Sequence, residues 1–234
     1  MFSRPKPFTL AGALFVALAT VSLMAQTNSS SAQIWHFDSL QTIDGHAVEV
    51  VGAPKLIDTP AGKAVHFNGS TDVIYLPVHP LAGATTFTWE VIFRPDGGHE
   101  EQRFFHLQES ANGVDGDSRM LFEIRVIGDQ WCLDGFVKSG ENGLTLIDRA
   151  KLFPIGRWYR VTLVYDGRDL HAYVDNALQG EGPLPFVPQT PGRTSVGMRI
   201  NKISPFHGAV LEARMTPKAL APAEFLALPA GLNK

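Results

Sequence analysis

A period of two runs through this chain, and it constrains the fold more than any other feature. FTWEVIFR, residues 87–94, places Phe87, Trp89, Val91 and Phe93 on one side and Thr88, Glu90, Ile92 and Arg94 on the other. RMLFEIRV, 119–126, sets Met120, Phe122, Ile124 and Val126 against Arg119, Leu121, Glu123 and Arg125. RVTLVYDG, 160–167, groups Val161, Leu163 and Tyr165 opposite Arg160, Thr162 and Val164. LHAYVD, 170–175, groups Leu170, Ala172 and Val174 opposite His171 and Tyr173. Successive side chains of a strand point to opposite faces, so one apolar row backed by a polar row reads as a half-buried antiparallel strand. Shorter segments of the same kind are IWHFD, KAVHFNG, DVIYLP, QRFFHLQ, WCLDGFVK, TSVGMRI and HGAVLEARM. About a dozen short strands with no long helical pattern predict an all-β, two-sheet antiparallel sandwich or jelly roll. Only PKALAPAEFLAL, after Thr216, offers a turn or two of helix.

The connections agree. The 22 Gly and 16 Pro punctuate the chain at short intervals. Asp166-Gly167 is a hairpin turn signal, and Asp175-Asn176 ends the next strand with residues that tolerate left-handed backbone angles. ESANGVDGDS, 109–118, and GPLPFVPQTPG, 182–192, read as loops. There is no internal repeat, so a single domain is expected over residues 34–230.

Arg4 and Lys6 are followed by an uncharged apolar run from Phe8 to Met24, then by the small Ala25 and the polar QTNSSSAQ. Positive, apolar, small, polar is the order of a secretory signal peptide. The expectation is a leader over 1–25, cleaved after Ala25, then a flexible linker over 26–33 and a secreted or periplasmic protein. A cut after Ala32 is the alternative. The single Cys132 has no partner for an internal disulfide, so an exported domain of this size has to hold together by its core. Net charge is −3 and no basic cluster appears, which argues against nucleic acid as a partner. No second apolar run follows, so no membrane insertion of the mature chain is expected. Oligomeric state is not legible.

Four segments, in order, resemble the laminin-G-like, concanavalin A-like jelly-roll family. IWHFDS is similar to its opening strand, and GKAVHFNGSTDVIYLP to its second signature. IGRWYRVTLVYDGRDLHAYVDN looks like its most distinctive hairpin, and HGAVLEARMTPKALAPAEF like its closing segment. Together they span residues 34 to about 226. The chain departs from the pattern at two places. Asp175-Asn176 stands where the hairpin usually ends in Asp-Gly. Leu211 stands where the closing strand usually carries an Asp that helps hold a structural calcium in many relatives. The resemblance therefore implies the sandwich but leaves calcium without its usual ligand, with Asp38 and Glu212 as the remaining hard oxygens. No cofactor is expected.

No catalytic set emerges. Sugar hydrolysis on such sandwiches uses paired carboxylates, and Glu90 and Glu123 lie on separate strands, each with an arginine on its own face. FFHLQE and FVKSGEN supply only fragments of the lyase pattern seen in relatives of this fold. The eight histidines are scattered without metal-ligand spacing, and no serine sits in a nucleophile motif. Trp89, Trp158 and Trp35 read as core, while Trp131 and Tyr173 are open to either reading. The remaining expectation is a non-catalytic module that binds a carbohydrate or another cell-surface glycoconjugate. A glycoside hydrolase or polysaccharide lyase working from the same polar face is the alternative. The candidate ligand-binding residues are Glu90, Arg94, Arg119, Glu123, Arg125, His171 and Tyr173, on the condition that their strands share one sheet.

Overall fold

The structure is a computed structural model that describes residues 31–233 together with Met1 and Phe2. The expected leader over 1–25, those two residues apart, and residues 26–30 of the linker lie outside the described residues. The strands in chain order are β1 (Gln33–His36), β2 (Thr42–Ile43), β3 (His46–Ala47), β4 (Glu49–Val51), β5 (Lys55–Thr59) and β6 (Gly62–Asn68). Next come β7 (Val73–Leu76), β8 (Phe87–Pro95), β9 (Glu101–Ala111), β10 (Val114–Ile127), β11 (Gln130–Ser139) and β12 (Asn142–Ile147). The last six are β13 (Phe153–Pro154), β14 (Tyr159–Tyr165), β15 (Asp169–Val174), β16 (Ala177–Pro183), β17 (Gly192–Val196) and β18 (His207–Thr216). Two large antiparallel sheets result. The first runs β16-β15-β14-β8-β18-β6-β5, with β1 also on β18. The second runs β12-β11-β10-β9-β17-β7-β4, with β13 on β11.

The apolar rows of the two sheets meet as one core. Phe87, Trp89, Val91 and Phe93 of β8 face Phe104 and Phe105 of β9 and Phe122 of β10, all fully buried. Trp89 lies 4.3 Å from Phe122 and Phe93 stacks on Phe104 at 4.4 Å between ring centroids. Trp131 joins this core, 5.1 Å from Phe93. Trp158 does not: it is buried with Ile92 and Leu211 on the far side of the first sheet.

Three local expectations are corrected. Residues 109–118 are not a loop, because β9 and β10 continue to Ala111 and Val114 and turn tightly at Asn112-Gly113, both at positive φ. β9 carries a bulge: Phe122 pairs Phe105 and Glu123 pairs Arg103, which leaves Phe104 as the extra residue. Both phenylalanines can then face the core while Arg103 and His106 face outward. After Thr216 the chain makes only one 3-10 turn, Pro222–Glu224. The rest of this tail crosses the outer face of the first sheet, where Leu226, Leu228 and Leu232 cover Ile92, Trp158 and Leu211.

Candidate functional site

The seven candidate residues do not form one surface. Glu90 and Arg94 lie on β8, and His171 and Tyr173 on β15, both in the first sheet. Arg119, Glu123 and Arg125 lie on β10, in the second. Their polar rows face away from a common core, so they sit on opposite sides of the sandwich, and the one-sheet condition is not met.

The first-sheet residues are engaged by the tail or by each other. Glu90 is fully buried, accepts from Arg214 Nε at 2.5 Å and from the Leu226 amide at 2.7 Å. Thr88 Oγ1 donates to the Lys218 carbonyl and accepts from the Leu220 amide. Tyr173 meets the edge of Phe225 at 5.3 Å, and the Arg160 guanidinium lies over the same ring. Arg94 forms a bidentate pair with Asp96, at 2.7 and 2.8 Å, and packs over Trp158. His171 is held between Glu181 and Asp166, at 3.0 and 3.3 Å. The Asp169 and Arg168 amides draw the Asp166 carboxyl down to about 2. Glu90 is thus closed off by the tail, while Arg94, His171 and Tyr173 stay partly exposed but already engaged.

The outer face of the second sheet is open and carries a basin of about 220 Å³. Period two puts Arg119, Leu121, Glu123 and Arg125 of β10 beside Asp134 and Phe136 of β11, and Arg103 of β9 on the other flank. Arg125 bridges Asp134 at 2.6 Å and Glu123 at 3.3 Å, and Arg103 holds the other oxygen of Glu123 at 3.0 Å. Arg119 lies 5.2 Å over the Phe136 ring and reaches Asp117 beyond it. Burial pushes the Asp134 carboxyl up to about 6, although Arg125 pulls the other way.

A fourth guanidinium arrives from outside the strands. Residues 197–204 fold against this face: the Ile200 amide donates to His106 Nδ1 at 3.1 Å, and Ser195 Oγ donates to the Met198 carbonyl at 2.7 Å. That turn delivers Arg199 to the basin wall, where its side chain has no hydrogen-bond or ion-pair partner among the described residues. Burial, then Arg199 and Arg119, hold His106 well below the ordinary imidazole range. The ring is therefore neutral, with its proton on Nε2. Two side-chain atoms of the basin, Arg119 Nε and Asp134 Oδ1, are buried without a hydrogen-bond partner among the described residues, and His106 Nε2 beside it is another. Buried polar groups are nearly always satisfied, so these atoms keep bonding capacity that the described residues leave unused.

Sequence reading missed Arg103, Asp134, Phe136 and Arg199. The alternation of WCLDGFVK carried a signal for Asp134 and Phe136, whose row also contains Cys132 and Lys138. Arg103 was hidden by the bulge, and Arg199 by its place in a turn.

A larger cleft of about 910 Å³ opens at one end of the sandwich, between residues 77–85 and 188–193. Its buried histidine and its arginine are already paired. Buried His79 donates from Nε2 to Gln189 Oε1 at 2.8 Å and accepts from the Leu81 amide, and Arg193 forms a bidentate pair with Asp115. Size alone does not make it the better site.

The residues do not fit a calcium ion in the place the resemblance suggests. Leu211 is buried among Ile92, Trp158 and Leu232, and Glu212 is paired with His36 at 3.5 Å. Among the described residues no three His, Cys, Asp or Glu side chains gather as a metal site.

Comparison with known proteins places this geometry in context. A sequence model of the laminin-G family 3 type, described as the concanavalin A-like lectin/glucanases superfamily, matches residues 68–225. No curated protein matches by sequence. Among solved structures, domain 4 of AbnA, a GH43 extracellular arabinanase from Geobacillus stearothermophilus, was solved with arabinotriose. It superposes with a TM-score of 0.60 at 17% identity, over 82% of this chain and 94% of that one. The binding domain of botulinum neurotoxin serotype D gives 0.59 at 12% identity, covering 84% of this chain and 49% of that one. A Trypanosoma rangeli sialidase in complex with sialic acid gives 0.57 at 13%, covering 82% and 31%. At these identities the likeness establishes the fold.

Proposed function

This chain belongs to the concanavalin A-like lectin/glucanases superfamily, and on that premise we propose that it is an exported, non-catalytic module that binds carbohydrate through the outer face of its second sheet. One observation carries the reading. The open basin gathers four arginines and an aromatic ring around two buried polar atoms, Arg119 Nε and Asp134 Oδ1, that have no partner among the described residues. Charged donors make strong hydrogen bonds to sugar hydroxyls and acid groups, and Phe136 supplies an apolar plane. The neighbours solved with arabinotriose and with sialic acid support a sugar as the ligand class, because both are sandwiches or contain one like this. Among the described residues no helix is long and apolar enough to cross a membrane. Export rests on the leader pattern of residues 1–25, and mass spectrometry of the protein recovered outside the cell should show its loss.

Fold does not license function, so the site has to be tested directly. The purified chain, applied to a glycan array, should retain a subset of glycans, and Arg119→Gln should lose them while melting at nearly the same temperature. Retention of the same glycans by that variant would remove the basin from consideration. The enzymatic alternative keeps one point in its favour, since Asp134 titrates near neutrality as a general acid or base would. A reducing-sugar assay on the array's best binder separates the two, and release of sugar would replace the binding reading with the enzymatic one.

A further inference from the structure

We propose that the basin reads a carboxylate on its ligand, so that the module selects acidic sugars over neutral ones, with Arg199 and Arg119 as the residues that recognise the charge. This rests on the carbohydrate reading above and narrows it to a ligand class.

The charge arithmetic of the basin supports an anion. Its wall contains Arg103, Arg119, Arg125 and Arg199 against Glu123 and Asp134, four positive groups to two negative ones. Glu101, just outside, pairs with Arg103 and Arg125 and still leaves one cation in excess. The excess is not spread evenly. Arg103 and Arg125 are committed to Glu123, Asp134 and Glu101. Arg119 shares one exposed carboxylate, Asp117, with Lys138, and its buried Nε has no partner. Arg199 has no ion pair among the described residues; burial, then Arg119 and Arg103 as like charges, lower its guanidinium pKa, against a partial pull from Glu123 and Glu101. Two guanidiniums with spare donors on the rim of one basin form a receptor for a planar oxyanion, the geometry in which arginine outperforms lysine. The volume, smaller than the roughly 300–1,000 Å³ of drug-sized pockets, suits one sugar unit and its acid group.

Asp134 adds a dependence on pH. It faces Arg125 and Glu123 of β10 and Arg103 and Glu101 of β9, while its β12 neighbour Ile147 is uncharged. His106 stays neutral throughout and does not contribute a charge. As pH falls through about 6, Asp134 takes up a proton, the basin loses a negative charge and gains an O–H donor. A sugar carboxylate remains ionised in this range. Affinity for an acidic ligand therefore rises on acidification.

The test is calorimetric titration of the full chain with two matched pairs, sialyllactose against lactose and trigalacturonic acid against galactotriose, at pH 7.5 and 5.5. The expected result is that at least one acidic member binds ten-fold or more tightly than its neutral partner, and several-fold more tightly at pH 5.5. Which pair responds tells whether the carboxylate belongs to a sialic or a uronic acid. Arg199→Gln should erase the preference with the melting temperature unchanged, and Asp134→Asn should erase the pH dependence. Arg119→Gln provides a second variant for the charge preference. Equal binding of acidic and neutral partners, or an array whose binders are all neutral, overturns the carboxylate inference and leaves the carbohydrate reading standing. An array with no binder at all overturns both.

Discussion

The two outer faces of this sandwich have polar rows of the same kind and opposite fates. On the first sheet, Thr88, Glu90, Arg160 and Thr162 alternate with core residues just as Arg119, Glu123, Asp134 and Arg103 do on the second. Yet Glu90, Thr88 and Thr162 are fully buried, and the tail after Thr216 threads amides and a carbonyl into the side chains of Glu90 and Thr88. Arg160 bonds the Leu226 carbonyl, and Asn233 both accepts from and donates to the Trp158 backbone. On the second sheet residues 197–204 fold back over β9, β17 and β7 and leave the basin over β10 and β11 open. A polar residue at an alternating position reports that it is outside the core. Whether it meets water is decided by a segment some 66 to 136 residues away in sequence.

The largest consequence is for stability. Replacing Glu90 with Ala strands Arg214 without its carboxylate and frees the Leu226 amide from its acceptor. Removing one partner of a buried pair costs about 3–5 kcal/mol. For a chain of this size that lowers the melting temperature by roughly 10 °C or more. Binding through the opposite face should survive. A variant that melts normally and fails to bind would exchange the roles of the two faces.

How far the sequence reveals this division follows from what alternation encodes. The core rows of β8, β10, β14 and β15 were legible residue by residue, since each is a period-two run flanked by turn chemistry. Edge strands such as β5 and β12 were not, because a strand with one neighbour and an exposed flank needs no apolar row. The tail was legible only as a short helical tendency. PKALAPAEFLAL has helix formers, but Ala221 is extended ahead of Pro222, and its Leu side chains find Ile92 and Trp158 only if the chain stays open. For the site, Arg119, Glu123 and Arg125 were visible as a polar row, and their merging with β8 and β15 was not decidable without strand order. Arg103 and Arg199 depend on a bulge and a turn, neither of which has a periodic signature.

The next effect separates the faces by pH. Unfolded, Asp134 should titrate near the ordinary 3.8; folded, it titrates at about 6. Between those values the folded chain keeps a proton that the unfolded chain has lost. Stability from this group therefore falls as pH rises through that window, with no penalty below about 4 and the full penalty above about 6. The size is on the order of 1–3 kcal/mol, given that each unit corresponds to about 1.4 kcal/mol and that Arg125 already offsets part of the burial. Carboxylates held low, such as Glu101, act in the opposite direction, so the quantity to measure is the difference between the parent and Asp134→Asn across pH 4–7. A flat difference would mean that Asp134 is as well hydrated as a surface carboxylate.

Tyr173→Ala should cost about 1–2 kcal/mol. The ring loses its edge contact with Phe225, and the tail loses part of its seat. Sequence reading assigned this residue to a ligand, with binding lost and stability kept. The tail-covered face predicts the reverse, stability lost and binding kept, and chemical denaturation beside an array measurement decides between them.

The smallest effect is the most discriminating. Arg199 is disfavoured first by burial and then by the like charges of Arg119 and Arg103, with Glu123 and Glu101 offsetting part of this and no carboxylate in an ion pair with it among the described residues. Removing its charge in Arg199→Gln should leave stability within about 0.5 kcal/mol of the parent and on the stabilising side, because the burial penalty and the repulsion are relieved, less the pull of Glu123 and Glu101, and no hydrogen bond is broken. Repulsion between partly solvated charges is screened by salt, so the part of the gain owed to Arg119 and Arg103 should shrink as ionic strength rises from 0.01 to 0.5 M, while the part owed to burial persists. Glu90, by contrast, is a buried group whose loss salt cannot mask. A residue that slightly weakens the fold and yet shapes the basin is what a binding site requires, since a group kept free for a ligand cannot also be satisfied by the protein. If Arg199→Gln instead destabilises the chain by a kilocalorie or more at every salt concentration, the side chain holds the 197–204 turn in place. The open face would then be as fully engaged with itself as the covered one.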